Sequence, residues 1–180
     1  MKKHYYCCLL LLLNFACGSK DSSTSPSDDC ILIRKSLNDY EMGNEFWFVN
    51  QTGKIIVPKQ KYYGTFNDTI RNYGFVIDNK GNIFAVDCNG NELYQVFKYD
   101  NGPDYAEEGL FRILSKNGKI GYADAETGKI VIKPVYQCAF PFENGRARVS
   151  KNCLTETIDE YSEWASDEWF EIDKTGKRIQ

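Results

Sequence analysis

One turn recurs along this chain and constrains its fold more than any other feature. An aromatic-rich run, an Asn or Asp, a short spacer, Gly and then usually Lys appear as Trp47-Phe48-Val49-Asn50-Gln51-Thr52-Gly53-Lys54 and Phe84-Ala85-Val86-Asp87-Cys88-Asn89-Gly90-Asn91. The pattern returns as Tyr122-Ala123-Asp124-Ala125-Glu126-Thr127-Gly128-Lys129 and closes the chain as Phe170-Glu171-Ile172-Asp173-Lys174-Thr175-Gly176-Lys177. A second series precedes it by about ten residues, as Asp78-Asn79-Lys80-Gly81 and Ser115-Lys116-Asn117-Gly118. Ser150-Lys151-Asn152 starts the same way and then diverges. Each glycine supplies the positive φ of a tight hairpin or G1 bulge, and the Asx side chain can bond the turn backbone. A period of roughly 37 residues is that of a repeat architecture.

The reading is therefore an all-β array of about four short antiparallel units. The best-formed unit has expected strands at Leu110–Leu114, Ile120–Asp124 and Lys129–Ile132, followed by an irregular return. Alternation puts Phe111 and Ile113 on one face and Arg112 and Leu114 on the other. Pro58 and Pro134 follow the third strands at matching places, where a missing N–H ends pairing. Ile31–Leu37 is a further strand candidate, joined to Phe46 by a polar turn.

The N-terminus has a different character. Met1-Lys2-Lys3-His4 is a basic start, and Cys7-Cys8-Leu9-Leu10-Leu11-Leu12-Leu13 is an apolar run of secretory length, too short to span a membrane. The following Asn14-Phe15-Ala16-Cys17-Gly18-Ser19 resembles the lipobox of bacterial lipoproteins. That resemblance implies cleavage before Cys17, lipidation of Cys17 and a stable membrane anchor through its acyl chains. Ordinary secretion with cleavage after Ala16 is the alternative, and Asn14 fits its small-x-small site poorly. Residues 1–16 then form a signal peptide, 17–29 a Ser-rich tether with too little apolar surface to order itself, and 30–180 the repeat domain. Lys20-Asp21, close behind Cys17, looks like the export tags of surface lipoproteins of the Bacteroides group. The expected address is the cell envelope, lipid-anchored at the outer membrane on its periplasmic or surface face.

Seven cysteines include Cys7, Cys8 and Cys17. Cys30, Cys88, Cys138 and Cys153 remain, none in C-x-x-C spacing. They permit one or two disulfides through any of three pairings, or isolated buried thiols.

The third unit carries a family resemblance. Gly121-Tyr122, Thr127-Gly128-Lys129, Ile132-Lys133-Pro134-Val135-Tyr136 and Phe142-Glu143-Asn144-Gly145-Arg146-Ala147 resemble the WG-repeat family, and the likeness extends over Glu45 to Gln180. Ile120 holds the Trp place in that unit and Trp169 fills it in the last. Trp47, Phe84 and Phe170 stand in the place of its glycine. The resemblance implies architecture and carries no shared reaction.

Composition removes several chemistries. A net charge of −3 without a basic stripe argues against a nucleic-acid partner. The sole histidine is His4, so the chain after the signal peptide has no Ser-His-Asp triad, Cys-His pair or imidazole metal site. No Asp-x-Asp-x-Asp-Gly loop or phosphate-binding Gly-rich loop occurs, and no cofactor or metal is expected. The expected function is non-catalytic binding or scaffolding of an envelope protein or a glycan. The alternative is a histidine-free glycosidase, which needs only two carboxylates. Asn152 to Glu168 holds Glu156, Asp159, Glu160, Glu163, Asp167 and Glu168 without a basic residue, and Tyr161 and Trp164 there are the aromatics the repeat explains least. Tyr161, Trp164, Glu160 and Glu163 are the candidate binding surface, weighed against an ordinary solvated face or terminal cap. The other aromatics after the third strands, among them Tyr62, Tyr99, Tyr105, Tyr136, Phe140 and Phe142, read as packing between units or as a stacking platform.

Overall fold

A computed structural model describes residues 30–37, 45–158 and 161–179, without the side chains of residues 157, 158, 161 and 162. Cys17, the signal peptide, the tether, the turn at 38–44, and Asp159 and Glu160 lie outside the described residues. The fold is all-β, and its unit is a three-stranded antiparallel meander. Unit 1 is β1 (Leu32–Ser36), β2 (Phe46–Asn50) and β3 (Ile55–Val57). A return with β4 (Gly64–Thr65) and β5 (Thr69–Ile70) leads to unit 2, made of β6 (Tyr73–Ile77), β7 (Ile83–Asp87) and β8 (Glu92–Val96). A small hairpin, β9 (Lys98–Tyr99) and β10 (Gly102–Pro103), precedes unit 3, which is β11 (Leu110–Leu114), β12 (Ile120–Asp124) and β13 (Ile130–Tyr136). After β14 (Cys138–Ala139) comes unit 4, with β15 (Arg146–Ser150), an inserted hairpin of β16 (Leu154–Ile158) and β17 (Tyr161–Ala165), and β18 (Phe170–Asp173). Its third strand is reduced to a bridge between Ile172 and Arg178.

The repeated turns form as their residues require. Gly53, Gly90, Gly128 and Gly176 all have φ between +69° and +83°. The Asn50 carboxamide oxygen accepts the Thr52 and Lys54 N–H groups at 3.1 and 2.9 Å, and Asp87 and Asp173 serve their own turns alike. The Thr127 hydroxyl and N–H on Asp124, and the Thr175 hydroxyl on Asp173, hold both carboxyls below the ordinary aspartate range. A register shift falls at Phe48/Val49, Ala85/Val86 and Tyr122/Ala123, one residue before each of the first three turns. This is the bulge that a positive-φ glycine produces in a hairpin.

β8 pairs with β11, so units 2 and 3 share one seven-stranded sheet, and the core consists of the junctions between successive units. Leu32, Phe46, Phe48 and Val57 of unit 1 meet Val76 and Val86 of unit 2. Ile83, Ala85 and Val96 of unit 2 meet Phe111, Ile113 and Ala123 of unit 3. Leu110, Ile120, Tyr122, Ile132 and Tyr136 of unit 3 meet Ala147, Val149 and Ile172 of unit 4. The alternation read for β11 is thus correct, with apolar surroundings on both sides. A docking rule also repeats: the residue four places after one turn glycine receives the next unit's turn glycine. Val57 lies against Gly90, the Tyr94 hydroxyl donates to the Gly128 carbonyl at 2.7 Å, and Ile132 lies against Gly176.

Pro134 departs from expectation. Pro58 follows β3, but Pro134 lies inside β13, whose pairing with β12 steps from Ile132↔Tyr122 to Ile120↔Tyr136. The extra residues of β13 arch over Gly121. A Cβ there would stand 2.4 Å from the Ile132 carbonyl oxygen and 2.6 Å from the Pro134 nitrogen. Gly121→Ala is expected to cost about 3 kcal/mol, because backbone cannot yield as a side chain can. Gly53→Ala, with φ +81° but open space around it, should cost about 1 kcal/mol. Urea unfolding of both variants decides the point, and equal losses would refute the close approach.

Cys30 pairs with Cys88 and Cys138 with Cys153, with Cα atoms 5.4 and 6.1 Å apart. That is one of the three pairings the sequence left open. The first ties the start of unit 1 to the turn of unit 2, and the second ties β14 to the base of the inserted hairpin.

Candidate binding site

Between the unit 2–3 connection and the hairpin inserted in unit 4 lies a cleft of about 360 Å³ lined by Tyr99, Asp104, Tyr105, Glu107, Arg112, Phe140, Pro141 and Trp164. Two of its walls come from irregular connections between units and a third from the inserted hairpin, where the repeat places no constraint on side-chain type. Asp100 and Asn101 both adopt positive φ (45° and 63°) at the tip between β9 and β10, a geometry that closes a two-residue hairpin. The chain so returned carries Asp104 and Tyr105 back beside Arg112 on β11.

The floor is a buried ion pair. The Asp104 carboxylate accepts the Arg112 backbone N–H at 2.8 Å and its Nε at 2.9 Å, and the guanidinium completes a fork through Nη2. Arg112 Nη1 donates to the Ala139 carbonyl at 3.3 Å, and the guanidinium lies over the Phe97 ring, 4.1 Å from its centre. Both side chains are nearly inaccessible, at 6% and 3% exposure. Such a pair persists in a dry site because every charge faces a geometrically matched partner.

Trp164 forms one wall. It meets Phe97 edge-on with ring centres 6.0 Å apart and Phe140 at 5.4 Å, and Phe140 in turn meets Trp169 at 5.4 Å. The opposite rim is the Tyr99–Tyr105 pair, with centres 5.8 Å apart and 52% and 60% of their surface open. The Tyr122 hydroxyl donates to the Phe140 carbonyl at 2.6 Å from within the core, which fixes the return beneath Phe140.

The acidic insertion is an ordered hairpin whose two strands pair from Leu154↔Ala165 to Ile158↔Tyr161. It replaces the short turn that joins the first two strands in units 2 and 3. Its base is held by Cys138–Cys153 and by the Ser150 and Ser166 hydroxyls, 2.8 Å apart and both against the Asn152 carbonyl. Of the four sequence candidates, Trp164 and Glu163 have described side chains, and these two point apart. Trp164 turns into the cleft, while Glu163 is exposed opposite Glu156 on the other face of the hairpin. Tyr161 is placed only by its backbone, and Glu160 lies outside the described residues. Asp167 and Glu168 are exposed. Among the described residues, no three acidic or cysteine side chains gather as a metal site requires.

Sequence reasoning missed Asp104 and Arg112. A signal existed in Arg112, a lone cation in the otherwise apolar strand Leu-Phe-Arg-Ile-Leu. Of the other aromatics, Tyr122, Tyr136 and Phe142 are buried between units 3 and 4, whereas Tyr99, Tyr105 and Phe140 line the cleft. The family model described as WG containing repeat matches residues 120–152, the stretch from β12 through β15. A comparison with curated proteins finds no match.

Proposed function

The chain is a WG-repeat protein, and from that premise we propose that it is a non-catalytic binding module, held at the cell envelope by a lipid on Cys17, with its ligand seated in the Trp164 cleft. One observation carries the binding reading: aromatic faces stand open around a fully paired polar floor. A cleft of about 360 Å³ is within the range that holds small ligands or one residue of a chain. The Arg112–Asp104 pair makes the floor rigid, so little ordering is left to be done on binding.

Two features support the envelope address. The Asn14-Phe15-Ala16-Cys17 segment has the character of a lipidation site. The paired Cys30–Cys88 and Cys138–Cys153 suit a compartment that oxidises thiols. Cys17→Ser is expected to abolish incorporation of a labelled fatty acid and to move the protein from the membrane pellet to the soluble fraction. An unchanged pellet would remove the anchor from the proposal.

The cleft is tested with Tyr105→Ala, which changes an exposed ring and should leave the unfolding midpoint in place. Binding to envelope glycans and envelope proteins is measured by affinity electrophoresis and co-sedimentation, beside turnover of glycoside and peptide substrates. The expected result is binding that Tyr105→Ala weakens, with no turnover. Binding that is indifferent to the substitution, or hydrolysis by the purified protein, would overturn the reading.

A further inference from the structure

The cleft continues past Phe140. A wider hollow of about 920 Å³ shares Glu107, Phe140 and Pro141 with it and extends to Arg146, Arg148 and Glu171. The two form one elongated groove whose common wall is the Phe140–Pro141 return. Resting on the cleft as the binding seat, we infer that the ligand is an uncharged glycan chain, its sugar rings stacked along the aromatic row of Tyr99, Tyr105, Trp164 and Phe140.

Charge decides against other polymers. The groove presents Asp104, Glu107, Glu143 and Glu171 against Arg112, Arg146 and Arg148. Arg112 is committed to Asp104, Arg146 contacts Glu171 at 3.1 Å, and Arg148 lies over the Trp169 ring, 4.5 Å from its centre. A polyanion such as a nucleic acid or a uronate polymer needs surplus cations, and this groove has none. The exposed Arg146–Glu171 pair instead offers donors and acceptors side by side, as vicinal hydroxyls require. Aromatic faces beside them match the C–H faces of a pyranose.

Shape decides against an extended peptide. Of the strands that line the groove, β15 and β18 are hydrogen-bonded on both sides. The other lining residues come mainly from returns and the inserted hairpin, so no open strand edge runs along the groove to template main-chain pairing. Length favours a chain over a single sugar, because the second hollow begins where the first ends. The residues of the array that break the repeat thus collect on one side as a track for alternating apolar faces and hydroxyl edges.

Trp164 lines the cleft and Trp169 packs on Phe140 at its wall, so intrinsic fluorescence reports occupancy. The test uses the full-length protein in a zwitterionic detergent free of sugar headgroups, titrated with mannan, xylan and a neutral β-glucan, with polygalacturonate and heparin beside them. The expected result is a fluorescence shift and gel retardation with at least one neutral polysaccharide. Its affinity should change less than about twofold between low and high salt, and Tyr105→Ala should weaken it roughly tenfold. Binding confined to the anionic polymers and falling steeply with salt overturns the neutral-glycan inference while the binding module stands. So does binding confined to a protease-sensitive envelope fraction. If nothing that binds depends on Tyr105, both readings fall.

Discussion

Asp104→Ala is expected to lower the unfolding free energy by about 4 kcal/mol, enough to leave a typical domain barely folded. The loss follows from what the carboxylate does. It accepts the Arg112 backbone N–H and two donors of the guanidinium in a site where neither side chain reaches water. Removing it strands a buried cation over the Phe97 ring with only the Ala139 carbonyl as acceptor. Asp104→Asn keeps the shape and one acceptor and should cost less. The double variant Asp104→Leu with Arg112→Met removes both charges together and should recover most of the loss, since apolar replacement of a buried pair is often neutral. Urea unfolding at 25 °C measures all three. Had the pair been an ordinary surface bridge, the single variant would cost under about 1 kcal/mol and the double would show no recovery. The same series separates stability from binding, because the double variant should fold and yet lose the polar floor.

The contrast between turns and cleft shows what a single sequence reveals. Gly53, Gly90, Gly128 and Gly176 were legible because positive φ and an Asx acceptor are local demands, met within five residues of chain. The strand limits of β11 and β12 followed from them. Pro134 was misread as a terminator because the arch of β13 depends on Gly121 in the adjoining strand. The acidic insertion read as an exception to the repeat, and it is one, but its hairpin pairing needs the anchorage at Ser150 and Cys138. Asp104 and Arg112 are eight residues apart, and the Glu108–Gly109 turn between them, where Glu107 and Leu110 exchange backbone hydrogen bonds, brings them together. Phe140 and Phe142 differ by two positions and by exposure, one open to the cleft and one buried against Tyr122. Residue type does not distinguish them. The side chain's direction does, and direction is set by packing between units.

Cys30→Ser with Cys88→Ser is expected to destabilise the chain by about 4 kcal/mol, and unevenly along the array. The bond closes a loop with a sequence separation of 58, against 15 for Cys138–Cys153. Chain entropy therefore gives about 4 kcal/mol for the first and about 3 kcal/mol for the second. Cys30–Cys88 is also the covalent link across the first junction, where unit 1 has a neighbour on one side only. In an array whose units contact mainly their neighbours, a lost end contact frays that end before the rest. Trp47, on β2 beneath the Lys59 ammonium at 4.7 Å, reports unit 1, and Trp164 and Trp169 report the groove. With Trp164 and Trp169 both changed to Phe, the remaining Trp47 signal should move to lower urea when Cys30–Cys88 is absent. With Trp47 changed to Phe, the groove signal should stay near its original midpoint. Cys138→Ser with Cys153→Ser should do the reverse, since it frees the hairpin that carries Trp164. A single coincident transition in every variant would mean that the units fold as one body and that the junctions are stronger than nearest-neighbour packing implies.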